Sequence, residues 1–325
     1  MRTGSSRSRT ALGAAGLALS ALVALAGCGD TTIRKAVPQS ATASLRAPAA
    51  SPASSQTEVA RRLHALEQRH HGRIGAYAID TGTGRVLSYR SGELFPEAST
   101  YKAMVAGAVL RKARGSDPGL MDRVVHYTRD EVVDNSPITE QHVDTGMTVA
   151  DLCDAAITVS DNTAANLLLK QIGGPTGLTT FYRSLGDPVS RLDRWETELN
   201  IWRPGEKRDT TMPSVYARDL RALVLGNALA PADRTRLTGW MKKTTTGDAR
   251  IRAGLPKGWT VADKTGTGST YGATNDIAVA WPPSGAPVVM VVLTNRRAAD
   301  GTTDEKAVSE TAAVLARGLD EAGQN

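Results

Sequence analysis

The rhythm of apolar and polar positions divides the chain into stretches of different kind. Residues 11–26 are almost wholly apolar behind a basic start of Arg2, Arg7 and Arg9. These sixteen residues fall short of the roughly 20 that span a bilayer as a helix, so the stretch reads as an export signal. Residues 31–57 are mostly Ala, Ser, Thr and Pro with no apolar period. Such a segment buries too little surface to offset its ordering entropy, and it reads as a flexible tether with an end-to-end distance on the order of 30 Å. In residues 58–70 Val59, Leu63 and Leu66 recur at helical spacing, and Gly72 follows as a stop. Alternating runs at 74–80 and 86–89 flank the turn Thr81-Gly82-Thr83-Gly84 and predict a hairpin. Helical spacing then dominates for about 150 residues. Strand patterns return at 259–264, 275–281 and 287–294, and a helix over 304–319 closes the chain.

Strands at both ends and helices between them predict an α+β fold: an antiparallel five-stranded sheet flanked by N- and C-terminal helices, with an inserted all-α domain. The expected divisions are an export signal over 1–27, a tether over 28–57, a discontinuous sheet domain over 58–92 and 246–325, and a helical domain over 93–245. The cleft between the two domains is the natural place for a site.

Composition narrows the function. With 41% hydrophobic and 22% charged residues, the chain is a globular protein rather than a disordered one. The formal charge of +6 comes without dense Lys/Arg blocks, so nucleic acid is not an expected partner. Removing residues 1–27 deletes three arginines and no acids, which lowers that charge to +3. The two cysteines, Cys28 and Cys153, cannot form a disulfide scaffold. No His/Cys/Asp ligand spacing is evident, so neither a metal nor another cofactor is expected.

Three short motifs carry candidate chemistry. Ser99-Thr100-Tyr101-Lys102 opens a helix, and the three-residue offset puts Ser99 and Lys102 on one face, where an amine reaches a hydroxyl. Alone, S-x-x-K is common and often a mere helix cap. Ser160-Asp161-Asn162 falls between two helices, the first opened by Thr148 with Asp151 three residues on, and a helix N-cap is its simplest reading. Lys264-Thr265-Gly266-Thr267 ends a strand before the turn 268–272, which places an ammonium and a hydroxyl at a sheet edge.

In this order, with 61 residues from Ser99 to Ser160 and 104 more to Lys264, the motifs resemble the penicillin-recognising serine enzymes. Residues 194–200, Arg-Trp-Glu-Thr-Glu-Leu-Asn, lie 36 beyond Ser160 at Glu196 and resemble the loop of class A β-lactamases that carries the deacylating carboxylate. The resemblance covers residues 58 to about 320 and implies hydrolysis of the β-lactam ring of penicillins and cephalosporins. It implies Ser99 as nucleophile, with Lys102, or Glu196 through a water, as acylation base. It further implies Ser160 as proton relay to the leaving nitrogen, Glu196 and Asn200 as holders of the deacylating water, and the backbone N–H groups of Ser99 and Thr267 as oxyanion site. Asn162, Lys264, Thr265, Gly266 and Thr267 match substrate-binding positions. Many relatives place an arginine for the substrate's carboxylate on the strand after K-T-G, where this sequence has Ala273-Thr274-Asn275; Arg250 matches the alternative position used by some members, and the resemblance implies the contact there. Arg194 and Asp209 correspond to a pair that ties the loop's ends together.

Several positions depart from the family's common pattern. Thr197 replaces a frequent proline, and either isomer of the Glu196-Thr197 bond fits the sequence, the cis form costing about 3–4 kcal/mol. Asn135 replaces a frequent aromatic at the rim, which implies a wider and less apolar entrance. Cys153 matches a position that is disulfide-bonded in some relatives, but Ala106 occupies the partner position, which implies a buried thiol. Leu25-Ala26-Gly27-Cys28 resembles a lipobox, so Cys28 is the expected lipid attachment point on the outer face of the bacterial membrane. A monomer acting on a small β-lactam is expected. The rival readings are a D-alanyl-D-alanine peptidase and a membrane-tethered β-lactam sensor, and Glu196 with Asn200 argues against both.

Overall fold

The computed structural model describes residues 52–320. The export signal, Cys28 and most of the expected tether lie outside the described residues. The chain opens with α1 (Pro52–Arg69), β1 (Gly72–Asp80), β2 (Val86–Tyr89) and the two-residue β3 (Phe95–Pro96). A 3₁₀ turn, Ala98–Thr100, runs into α2 (Tyr101–Gly115), followed by β4 (Val124–Val125) and β5 (Met147–Thr148), α3 (Val149–Thr158), α4 (Asn162–Gln171) and α5 (Gly174–Ser184). Next come β6 (Thr210–Thr211), α6 (Pro213–Val224), α7 (Pro231–Lys242) and the short α8 (Ile251–Gly254). Three long strands, β7 (Thr260–Thr267), β8 (Thr274–Trp281) and β9 (Val288–Arg296), precede the closing helix α9 (Glu305–Asp320). The fold is α+β.

The sheet has five antiparallel strands in the order β2-β1-β9-β8-β7. The N-terminal hairpin therefore pairs with the last strand, and everything from β3 to α8 is inserted between them in sequence. The apolar run of β9 shows why the sheet forms a centre. Val289, Val291 and Leu293 join the core shared with α2 and α6, whereas Val288, Met290 and Val292 join Val59, Leu63, Val308 and Leu315 beneath α1 and α9. With both faces covered, no polar alternation is needed. Each fully buried Leu or Val contributes about 1.5–3 kcal/mol.

Two boundaries differ from the pattern-based expectation. α1 starts at Pro52 rather than at 58. Gln56 explains the extra turn: its amide donates to Ser88 O at 2.8 Å and accepts from Ser88 N–H at 3.1 Å, a fixture on the edge strand that apolar spacing does not encode. β7 continues past Lys264 to Thr267, so the whole Lys-Thr-Gly-Thr motif sits in the ladder opposite Thr274 to Ile277. In the helical part, α2 is buried along its first ten residues, Tyr101 to Leu110, as befits a helix enclosed by others. Among the described residues no helix is long and apolar enough to cross a membrane.

Candidate active site

The 3₁₀ turn before α2 sets the first wall. Ala98 holds φ at 45°, in the left-handed region that non-glycine residues rarely occupy, and Ser99 follows at the head of the helix. Lys102, one turn on, is fully buried. Its Nζ donates to Ser160 O at 2.7 Å and Asn162 Oδ1 at 2.5 Å, and it lies 3.4 Å from Ser160 Oγ and 3.2 Å from Glu196 Oε1. Burial pushes the amine below its ordinary value, while the Glu196 charge pulls it back up. Ser99 Oγ donates to the same Glu196 oxygen at 3.4 Å. One carboxylate oxygen thus faces both hydroxyl and ammonium.

A short 3₁₀ helix, Glu198–Asn200, returns Asn200 beside Glu196, and its Nδ2 donates to Glu196 Oε2 at 2.6 Å. The Glu196-Thr197 bond, which sequence left undecided, is cis. Below it, Asp209 at φ 55° accepts from the N–H groups of Asp193 and Arg194 at 2.7 and 3.0 Å and from Arg194 Nε at 2.6 Å. Arg194 Nη1 also donates to Ile201 O at 2.9 Å. Asp209 is almost wholly buried and Arg194 mostly so, which separates this clamp from an exposed ion pair.

Strand β7 forms the opposite wall. Lys264, also fully buried, donates to Ser160 Oγ at 3.0 Å and to Thr265 O at 2.8 Å. Burial, with the charges of Lys102 and Arg250, pushes this amine well below its ordinary value. Gly266 is required here: a Cβ would stand 2.9 Å from Glu97 O and 3.0 Å from Thr100 N, so only glycine lets the strand approach the turn that carries Ser99. Arg250 lies behind the strand. Its Nη1 donates to Gly266 O and Asn275 O, each at 2.8 Å, its Nη2 to Thr267 Oγ1 at 2.7 Å, and its Nε to Glu305 Oε1 at 3.4 Å. Ser99, Asn135, Ser160, Asn162, Thr265 and Thr267 line the intervening cleft of about 740 Å³.

The profile of the beta-lactamase enzyme family matches residues 58–319. Beta-lactamase FAR-1 of Nocardia farcinica is 54% identical over 255 residues, 78% of this chain and 81% of that protein. Beta-lactamase AST-1 of Nocardia asteroides is 48% identical over 311 residues, 96% of each chain. The crystal structure of a beta-lactamase from Streptosporangium roseum matches with a TM-score of 0.80 and 61% identity, over 82% of this chain and 99% of that one. The chain is a class A serine β-lactamase.

In this β-lactamase, Ser99, Lys102, Ser160, Asn162, Glu196, Asn200 and Lys264 share one hydrogen-bonded network, and Thr265, Thr267 and Arg250 border the same cleft. Arg194 and Asp209 stand at the base of the loop, and Gly266 lies under Ser99's turn. Two details differ from expectation. Arg250 is only 6% exposed, with its guanidinium engaged on the strand, so it meets the cleft through the Thr267 hydroxyl rather than as a free fork. The side chain of Asn162 is held at both ends, by Lys102 and by Asp134 O at 2.8 Å. Asn166 escaped the motif reading altogether. Its Oδ1 accepts from Glu196 N–H and its Nδ2 donates to Glu196 O, both at 3.0 Å. The signal was its place four residues after Asn162, on the same face of α4. Cys153 is a free, buried thiol whose ionisation burial suppresses.

Proposed function

We propose that this enzyme opens penicillins and cephalosporins in two chemical steps divided between the two walls. Ser99 Oγ attacks the β-lactam carbonyl and its proton passes to the Lys102 amine, whose ammonium form burial disfavours and which shares Glu196 Oε1 with Ser99. That shared oxygen carries the reading. Lys102 hands that proton on to Ser160, 3.4 Å away, as Ser160 Oγ, held by Lys264, gives its own to the departing nitrogen, which leaves Glu196 unprotonated. Glu196, with Oε2 held by Asn200, then activates the water that releases the acyl group. The backbone N–H groups of Ser99 and Thr267 supply the oxyanion site.

The substrate's carboxylate provides the counter-charge that the second wall lacks. Lys264 and the hydroxyls of Thr265 and Thr267 receive it, with Asn162 on the amide side chain of the drug. Because Arg250 donates to Thr267 Oγ1, that hydroxyl's own proton points to the ligand. The Arg194–Asp209 clamp holds the loop in register for deacylation. The sheet and helical segments act as two domains around this cleft, in a monomer anchored outside the membrane by lipid on Cys28.

Steady-state and burst kinetics of the full chain on benzylpenicillin and a cephalosporin test the reading. It requires sustained turnover that Ser99→Ala abolishes; a single stoichiometric burst would favour a sensor or peptidase. Labelling with a fatty-acid probe that Cys28→Ser fails to remove would end the anchor proposal.

A further inference from the structure

Two residues before the nucleophile stands a carboxyl that none of these steps uses. Glu97 is fully buried, and among the described residues no cation pairs with it. Its Oε2 accepts from Tyr182 Oη of α5 at 2.6 Å and lies 3.3 Å from Tyr216 Oη of α6, while Oε1 has no partner. The two tyrosine rings, themselves fully buried, meet edge to face with centroids 6.2 Å apart. A buried acid without a cation is costly, and an apolar side chain would fill this space without that cost.

The backbone of the same residue joins the site's other parts. Glu97 N–H donates to Asp209 O at 2.9 Å, at the clamp of the Glu196 loop. Glu97 O accepts from Thr100 Oγ1 at 2.6 Å and from Asn275 Nδ2 of β8 at 3.3 Å. Thr100 Oγ1 also lies 3.4 Å from Tyr216 Oη, which closes a ring of contacts around the turn. The next residue is Ala98, whose left-handed backbone aims Ser99 into the cleft.

We propose that Glu97 is a positioning residue: clasped by Tyr182 and Tyr216, its side chain fixes the 97–99 turn so that Ser99 Oγ is aimed at the β-lactam carbonyl in acylation. Burial pushes the carboxyl well above its usual range, against the pull of the Tyr182 hydroxyl, so an amide of the same shape is a close substitute. This inference rests on Ser99 being the acylated residue.

The test measures the acylation rate by intact mass in a full-length Glu196→Gln background, together with the Kd of benzylpenicillin in a Ser99→Ala background. Glu97→Leu slows acylation about tenfold to a hundredfold without changing Kd, and Glu97→Gln restores it to within about threefold of the parent. Acylation at the parent rate in the Leu variant, or a Gln variant as slow as the Leu variant, overturns the proposal. If the Leu variant does not fold, the double variant Tyr182→Phe, Tyr216→Phe removes two oxygens alone. It is expected to acylate about fivefold more slowly or worse, and an unchanged rate would be equally fatal. Acylation that survives Ser99→Ala would instead remove the reading beneath it.

Discussion

Lys102 and Lys264 are both fully buried and both reach Ser160 Oγ, at 3.4 and 3.0 Å, yet the walls they belong to differ in charge. Lys102 has Glu196 at 3.2 Å, an attraction on the order of 5 kcal/mol at an effective dielectric near 20. Lys264 contacts only neutral acceptors, with Lys102 and Arg250 repelling it. Of the acids that pull it back up, Asp263 is paired with Arg252 at 2.5 Å and burial pushes Asp276 well above its usual range. One wall is balanced before substrate arrives and suits proton transfer. The other is short of negative charge and suits an anion. The same residue type thus serves two purposes according to whether the fold supplies its counter-ion.

Removing the unbalanced cation breaks this contrast most severely. Lys264→Ala should lower kcat/KM for benzylpenicillin about a hundredfold to a thousandfold. The loss should shrink at least tenfold for the corresponding methyl ester, which carries no anion; equal losses on acid and ester would mean that Lys264 serves Ser160 alone. Arg250→Lys keeps a charge but loses the fork that holds Thr267, Gly266 and Asn275. It should raise KM about tenfold with a smaller change in kcat, and lower Tm because two strand carbonyls lose their donors; wild-type KM would place Arg250 outside substrate binding.

On the balanced wall, Asp209→Asn keeps the acceptor for two N–H groups at a backbone angle that asparagine tolerates, and removes the charge together with the acceptor of Arg194 Nε. Deacylation should slow about tenfold and Tm fall by a few degrees; pre-steady-state traces identical to wild type would show that the clamp does not serve the water. Outside both walls, Asp187 Oδ2 and Asp219 Oδ2 are buried and no donor reaches them. Burial, then the Asp187 charge, raises Asp219 to about 9. A raised acid leaves stability intact below the unfolded value near 4 and removes it as pH rises towards 9. Asp219→Asn should therefore leave turnover unchanged, raise Tm by about 5 °C at pH 8, and do nothing at pH 4. A pH-independent gain would dismiss the raised Asp219 carboxyl as the cause.

What the chain reveals by itself follows from how local each signal is. Ser99 with Lys102 and the cap at Ser160 to Asn162 are short-range patterns, and β9 shows its burial as an apolar run. Even the buried ion pair of the clamp is foreshadowed by Arg194 and Asp209 at the ends of one loop. The rest depends on tertiary neighbours. Asn166 matters because α4 lies under Glu196, and Arg250 is buried because β7 and β8 direct their carbonyls at it. Glu97 looks like any surface acid until Tyr182 and Tyr216, 85 and 119 residues away, enclose it. The helical start at Pro52 likewise depends on a side chain reaching a strand 32 residues on.

The division of labour between Ser99 and Glu196 is tested most directly by the intact mass of the full-length Glu196→Gln variant mixed with benzylpenicillin. A stable adduct of one penicillin should form on that variant, fail to accumulate on wild type under turnover, and be absent from the Ser99→Ala protein. Turnover by Glu196→Gln at the wild-type rate without an adduct, or an adduct that persists after Ser99→Ala, would contradict it.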